Sequence, residues 1–255
     1  MNNLISQIFI SSKGEELPKF LKKATLSIKR EFPEYNHKIY GNEELREFIK
    51  KNYGDKVLWA FDSLRPYSYR SDLGRFCLLY KLGGWYFDIA IHCKSSIKLD
   101  SELDLLCFRD EQRHSKTSWA VSGGIIWSKP KNNIFSHAID QVILNCQEKW
   151  YGKTPLCPTG PSLLGEAIAN KNRGKNIQIG DLVRPMIPFT RKNMPYLKSI
   201  FKSRFILPNG KTIGIVKPAK GGDLKALGMK GSNNYNDFWH EKSVYNEIEY
   251  KQNYS

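Results

Sequence analysis

A chain of 255 residues with 40% hydrophobic and 13% aromatic side chains is long enough for one sizeable α/β domain, and its mean hydropathy of −0.50 argues against an integral membrane protein. No run approaches the ~18 consecutive apolar residues of a spanning helix, and Met1 to Ser12 has no basic stretch followed by a long apolar one, so a cytoplasmic chain is expected. The net charge of +15 is uneven: residues 191–230 hold ten basic residues against Asp223 alone, a field that attracts phosphates, nucleic acid or an anionic membrane face without choosing among them.

In chain order, Leu4 to Ile10 is an apolar run suited to a buried strand, and Glu15 to Phe32 carries Leu17, Leu21, Ala24, Leu26 and Ile28 at helical spacing, ended by Pro33. His37 to Tyr40 reads as a strand, and Glu43 to Lys51 and Val57 to Leu64 as helices before Pro66. Asp72 to Leu82 follows as a helix with Leu73, Phe76, Leu79 and Tyr80 on one side, closed by Gly83-Gly84, and Trp85 to Ile91 as a strand. Leu103 to Phe108 and Gly124 to Trp127 are further strands, and Ile134 to Cys146 is an amphipathic helix. Thr159-Gly160-Pro161 opens another helix, with the proline where its missing N–H costs nothing. Phe205 to Val216, broken by Asn209-Gly210, reads as a hairpin. The alternation of strands and helices predicts a largely parallel sheet covered on both faces.

Five scattered cysteines, Cys77, Cys93, Cys107, Cys146 and Cys157, form no C-x-x-C pair and read as buried thiols in a reducing compartment. Met194, Leu197, Phe201 and Phe205 recur at near-helical spacing beside Lys192, Lys198, Lys202 and Arg204. That pattern suits either a helix lying on an anionic membrane or an internal helix with a solvated basic side. The tail after Gly231 reads as a lid over a site or a frayed end.

The chemistry concentrates in SDLGRFCLLYKLGGWYFDIAIHC, Ser71 to Cys93. Asp72 and Arg75, three apart, share a helix face and set a carboxylate beside a guanidinium fork. The glycine pair permits a sharp exit and close approach of backbone to a ligand, and Asp88 lies within or at the end of a strand, where ligands bind in open α/β sheets. Singly, these are a helix N-terminal acid, a solvated arginine and a loop residue; together their spacing points to a site. By the period-two rule His92 shares a strand face with Asp88, while Trp85 and Tyr86 read first as core.

This segment resembles the DXD-motif sugar transferases of glycosyltransferase family thirty-two and, more distantly, the large clostridial glucosylating toxins. The likeness runs over about residues 4 to 95: a strand like Ile5 to Phe9, a stretch like Tyr40 to Ile49, then Ser71-Asp72, Arg75, Gly83-Gly84, Tyr86 and Asp88 in the order S/A-D-x-x-R, helix, G-G-x-Y-x-D-x-D. The resemblance implies a GT-A-type α/β fold, with a Rossmann-like, mostly parallel sheet flanked by helices and a C-terminal hairpin and tail. It implies one catalytic domain over 1–255, with a nucleotide-sugar half over 1–95 and, over 96–255, an acceptor half with the basic segment and lid. The implied reaction is hexosyl transfer, with retention, from a nucleotide-diphosphate sugar, UDP favoured by family habit. The implied acceptor is a glycan or lipid-linked glycan of bacterial surface polysaccharide or lipopolysaccharide, met at the inner face of the cell membrane.

Carried onto this chain, the family pattern makes Asp72, Arg75 and Asp88 catalytic. The implied donor-binding set is Gln7, Ile8, Ser71, Asp72, Arg75, Gly84, Tyr86, Asp88 and Trp239, the last read either as a stacking lid or as an anchor of the tail to the core. Manganese or magnesium is expected on Asp88 and His240. Ala90 stands where the family places its second aspartate, which leaves open weaker metal dependence, a sugar-nucleotide-binding protein without catalysis, or an engineered substitution. A nucleic-acid-binding protein is the competing reading from another class, drawn from the charge and from Tyr196, Phe201 and Phe205 in the basic stretch. No nucleic-acid motif accompanies them, so nucleic acid is not an expected partner.

Overall fold

The computed structural model describes residues 3–11, 16–111, 115–184, 202–216 and 234–248. Its strands are β1 (Leu4–Ile8), β2 (Asn36–Tyr40), β3 (Gly84–Phe87), β4 (Ile91–Cys93), β5 (Leu105–Arg109), β6 (Val121–Ser128), β7 (Ile177–Val183), β8 (Arg204–Ile206) and β9 (Thr212–Val216). The helices are α1 (Lys19–Glu31), α2 (Asn42–Tyr53), α3 (Asp55–Ser63), α4 (Tyr67–Leu82), α5 (Asn133–Gln147), α6 (Pro161–Lys171) and α7 (Tyr235–His240). All described strands join one sheet in the order β2-β1-β3-β6-β5-β7-β8-β9-β4. β1 is parallel to β2 and β3, β5 is parallel to β7, and the other pairings are antiparallel, so β2, β1, β3, β5, β7 and β9 all run one way.

Helices cover both faces, as the alternating pattern predicts. On one face Ile28 and Phe32, from α1 and its end, meet Ile5, Trp85, Phe87 and Phe108 of the sheet. On the other, α2 to α6 bury Leu45, Phe61, Phe76, Phe135 and Leu163 against Ile8, Tyr86 and Ile126. Cys77, Cys93, Cys107 and Cys146 are buried free thiols, and Cys157 is half-buried.

Several boundaries differ from expectation for local reasons. α4 starts at Tyr67, not Asp72, because Pro66 is its N-cap, so Asp72 sits inside the helix rather than at its dipolar end. The expected strand Trp85 to Ile91 is two strands. Phe87 ends β3, the Ile91 N–H bonds back to the Asp88 carbonyl at 3.0 Å, and Ile91 starts β4, which pairs with β9 at the far edge of the sheet. His92 therefore does not share a strand with Asp88. Phe205 belongs to β8, 1% exposed and edge-on to Phe108 at 5.2 Å between centroids, so a membrane-surface helix cannot extend to it. Met194, Leu197 and Phe201, with Arg191, Lys192, Lys198, Lys217, Lys220, Lys225 and Lys230, lie outside the described residues. Among the described residues, no helix is long and apolar enough to cross a membrane.

Candidate active site

The carboxyl ends of β1, β3, β5 and β7 point to the same side of the sheet, where ligands bind in α/β folds. A cavity of about 360 Å³ opens there, lined by Ile8 at the end of β1, Asp88 after β3, Asp110 after β5 and Leu182 of β7, with Ser122-Gly123-Gly124 of β6 between. α4 contributes Ser71, Asp72 and Arg75 to its wall.

Because α4 is wedged between the sheet and α5, Asp72 and Arg75 are buried, at 8% and 5% exposure. They pair with each other, Arg75 Nη1 to Asp72 Oδ1 at 3.0 Å, and Thr159 Oγ1 donates to Asp72 Oδ2 at 2.8 Å. Thr159 comes from the turn that opens α6, so the turn predicted from sequence serves the site directly. The Arg75 guanidinium carbon lies 4.7 Å from the Tyr86 ring centroid, and Nη2 reaches the Tyr86 hydroxyl at 3.5 Å. Burial works against the Arg75 charge, but Tyr86, Asp72 and Asp88 outweigh it and hold the guanidinium protonated, above its ordinary range. For Asp72 the balance is reversed: burial, opposed by Arg75 and Thr159, pushes the carboxyl up to about 6.

Asp88 caps the turn that follows β3, its Oδ1 accepting the Ala90 N–H at 3.2 Å. Gln7 is fully buried and outside the cavity lining; its Nε2 donates to the Asp88 carbonyl at 3.4 Å while its Oε1 meets His37 Nε2 at 2.8 Å. It thus braces the backbone of Asp88 from behind. Gly84 is also behind the cavity: with φ at +81°, its absent Cβ would stand 2.5 Å from the Leu4 carbonyl oxygen. The close approach it permits is strand to strand, between β1 and β3, rather than backbone to ligand.

The described part of the tail, residues 234–248, is anchored. Val244 is fully buried, Trp239 Nε1 donates to the Tyr151 carbonyl at 2.8 Å, and Leu64 bridges Tyr245. Trp239 and the exposed His240 lie outside the cavity lining, whereas Tyr235 of the same helix lines it, its ring 5.9 Å from that of Tyr69. Ile8, Ser71, Asp72, Arg75, Tyr86 and Asp88 are thus brought together; Gln7, Gly84, Trp239 and His240 are not among the lining residues.

Sequence reasoning missed Asp110, Gly123 and Tyr235. Asp110 had a signal, since like Asp88 it follows an apolar strand at its carboxyl end. Tyr235 had none beyond its place in the tail. The residues around Asp88 do not fit a metal cage: Ala90 offers no ligand, His240 is not at the cavity, and among the described residues no cluster of three His, Cys, Asp or Glu side chains could hold an ion.

The fold is of the GT-A glycosyltransferase type, and the chain is similar to glycosyltransferases over much of its length. The family model described as a glycosyltransferase sugar-binding region containing a DXD motif matches residues 18–108. An uncharacterized glycosyltransferase of Acanthamoeba polyphaga mimivirus is 25% identical over 76% of this chain and 77% of its own length. The mannosyl phosphorylinositol ceramide synthase of Saccharomyces cerevisiae is 30% identical over 60% of this chain, which spans 38% of that protein. Among solved structures, the PaToxG glycosyltransferase superposes with a TM-score of 0.51 at 17% identity, over 68% of this chain and 69% of that one. The glycosyltransferase domain of the YGT toxin gives 0.51 at 9% identity, over 70% of this chain and 79% of that one. These two likenesses are of fold.

Proposed function

We propose that this glycosyltransferase moves a hexose, with retention, from a nucleotide-diphosphate sugar to a hydroxyl of a lipid-linked or glycan acceptor. The observation that carries the reading is the buried Asp72–Arg75 pair beside Asp88 in a cavity at the carboxyl ends of the strands. A departing diphosphate develops negative charge, and a guanidinium held charged in a dry wall stabilises it without reorganising. Asp72 and Asp88 offer carboxylate acceptors to sugar or ribose hydroxyls, and the sheet, α4 and Tyr235 exclude water from the reacting carbon. The first 95 residues form the donor half and the remainder the acceptor half. The name of the yeast relative, a mannosyl transferase acting on an inositol-bearing ceramide, supports a mannosyl or similar hexosyl donor and a lipid-borne acceptor at a membrane face. UDP is the nucleotide favoured by the likeness to family thirty-two, and a divalent ion would need the donor's own phosphates as ligands.

The test is release of nucleoside diphosphate from UDP- and GDP-hexoses, with manganese and magnesium each supplied and omitted. Release from at least one donor, lost in Asp88→Asn, is the expected result; no binding of any donor would overturn the reading. Tight donor binding without turnover would instead establish the non-catalytic reading that Ala90 favours.

A further inference from the structure

The outward face of α1 is a single basic stripe. Lys19, Lys22, Lys23, Leu26, Lys29 and Arg30 recur at i, i+3, i+4, i+7, i+10 and i+11, which sets them on one side of the helix, and all six are exposed. Leu21, Ala24, Thr25 and Ile28, on the other side, are buried. The carboxylates that reach the stripe stand at its two ends, Glu16 at 2.8 Å from Lys22 and Glu31 at 3.0 Å from Arg30, and the exposed Glu34 follows the helix. Lys19, Lys23 and Lys29 make no ion pair among the described residues. Lys94 widens the field: it is exposed, and it follows Cys93, whose N–H donates to Ser27 Oγ of α1 at 2.8 Å.

Leu26, in the middle of this stripe, is 61% exposed, more than any other large apolar side chain among the described residues. Charge alone would suit water, a nucleic acid or a lipid surface. A leucine held outward among lysines matches a partner that has an apolar layer directly beneath an anionic one. The stripe is also close to the cavity. Leu21 lines the cavity from the first turn of α1 while Lys19 and Lys22 of that turn face away, so a surface bound to the stripe lies about one helix diameter, roughly 10 Å, from the cavity wall.

We propose that the outward face of α1 docks on an anionic lipid bilayer, with its lysines among the headgroups and Leu26 at the boundary with the acyl chains, so that the cavity stands beside the membrane. This gives the lipid-borne acceptor of the reading above a surface on which to be met, and it rests on that reading for its purpose. The docking itself involves neither donor nor acceptor.

The experiment is co-sedimentation of the full chain, without donor or acceptor, with vesicles of phosphatidylcholine alone or with about one-third phosphatidylglycerol, at low salt and at about 0.5 M salt. The variants are Lys19→Gln, Lys23→Gln and Lys29→Gln combined, Leu26→Gln, and Leu26→Trp. Lys192→Gln, Lys198→Gln and Lys220→Gln combined form the control for the basic residues between 191 and 230. Thermal midpoints accompany each. The expected result is binding to anionic and not to neutral vesicles, lost at the higher salt. The α1 lysine variant should bind at least about tenfold more weakly, and the control should lose less than it does. Leu26→Gln should weaken binding about threefold or more, and Leu26→Trp should equal or exceed wild type.

Binding to neither vesicle, or equally to both, overturns the proposal. So does binding that is lost in the control and kept in the α1 variant, or that is indifferent to residue 26. A DNA duplex bound more tightly than the anionic vesicles, through the same lysines and regardless of residue 26, would give the stripe to nucleic acid and overturn it as well. If the combined lysine variant does not fold, the two Leu26 variants decide the matter. Because no turnover is measured, a chain that splits no sugar nucleotide is still seen to dock, and a transferase that does not dock is still seen to transfer, so the two readings fail separately.

Discussion

Arg75 occupies the space in which residue 123 would carry a side chain: a Cβ on Gly123 would stand 1.5 Å from the guanidinium Nη1. The glycine of β6 and the arginine of α4 are therefore one feature of the cavity wall. Gly123→Ala forces Arg75 out of its contacts with Asp72 and Tyr86, and is expected to cost donor turnover about two orders of magnitude, roughly 2.7 kcal/mol. Turnover near wild type in this variant would show that Arg75 can act from elsewhere.

Asp88 and Asp72 separate into two kinds of variant. Asp88→Asn keeps the oxygen that accepts the Ala90 N–H, so it should retain its melting temperature while losing at least about a hundredfold in transfer. Asp72→Ala leaves Arg75 buried without its counter-charge and should also destabilise the fold, by about 3–5 kcal/mol in urea unfolding. Equal stability losses in the two variants would contradict this division.

The buried Asp72 gives stability a pH slope of a particular sign. Its folded pKa, about 6, lies above the ordinary value of 3.8, so between these the folded state holds the extra proton and stability falls as pH rises. His37, held down to about 4 by burial and by Lys29, acts oppositely: its contribution is lost as pH falls from about 6.5 towards 4. Subtracting the urea midpoints of Asp72→Asn from those of wild type at each pH isolates the first effect. A difference that stays flat from pH 4 to 6.5 would show that Asp72 is ionised throughout.

With Ala90 beside it, Asp88 alone should hold Mn²⁺ weakly in the free protein, and Ala90→Asp should tighten Mn²⁺ binding in the presence of UDP or GDP by about tenfold or more. Calorimetry with ion, nucleotide and both reads this directly; tight binding by the unaltered free protein would place the ion on other ligands.

The constellation on α4 and β3 was legible because local spacing carried it: three residues set Asp72 beside Arg75, and the glycine pair set Asp88 at a strand end. The turn at Thr159 was legible as a helix start, but not as the donor of a hydrogen bond to Asp72, since the residues are 87 apart and only tertiary packing joins them. β7 escaped notice because Gly180 and Asp181 interrupt its apolar character; the strand exists because it pairs with both β5 and β8. Gln7 and Gly84 were placed at the ligand by family pattern, whereas packing sets them one layer behind it, bracing Asp88 and the β1–β3 contact.

The docked tail also sets when the site can exist. Arg65 N–H bonds to the Val244 carbonyl and Asn246 to the Ser63 and Asp62 carbonyls, so the segment that carries Tyr235 is tied to the α3–α4 corner. Among the described residues, every other one that lines the cavity emerges from the ribosome before Tyr235. Of these residues, the one that closes this side of the cavity is therefore translated last. A chain cut before residue 235 would keep the Asp72–Arg75 pair while leaving the cavity open on the side that Tyr235 lines.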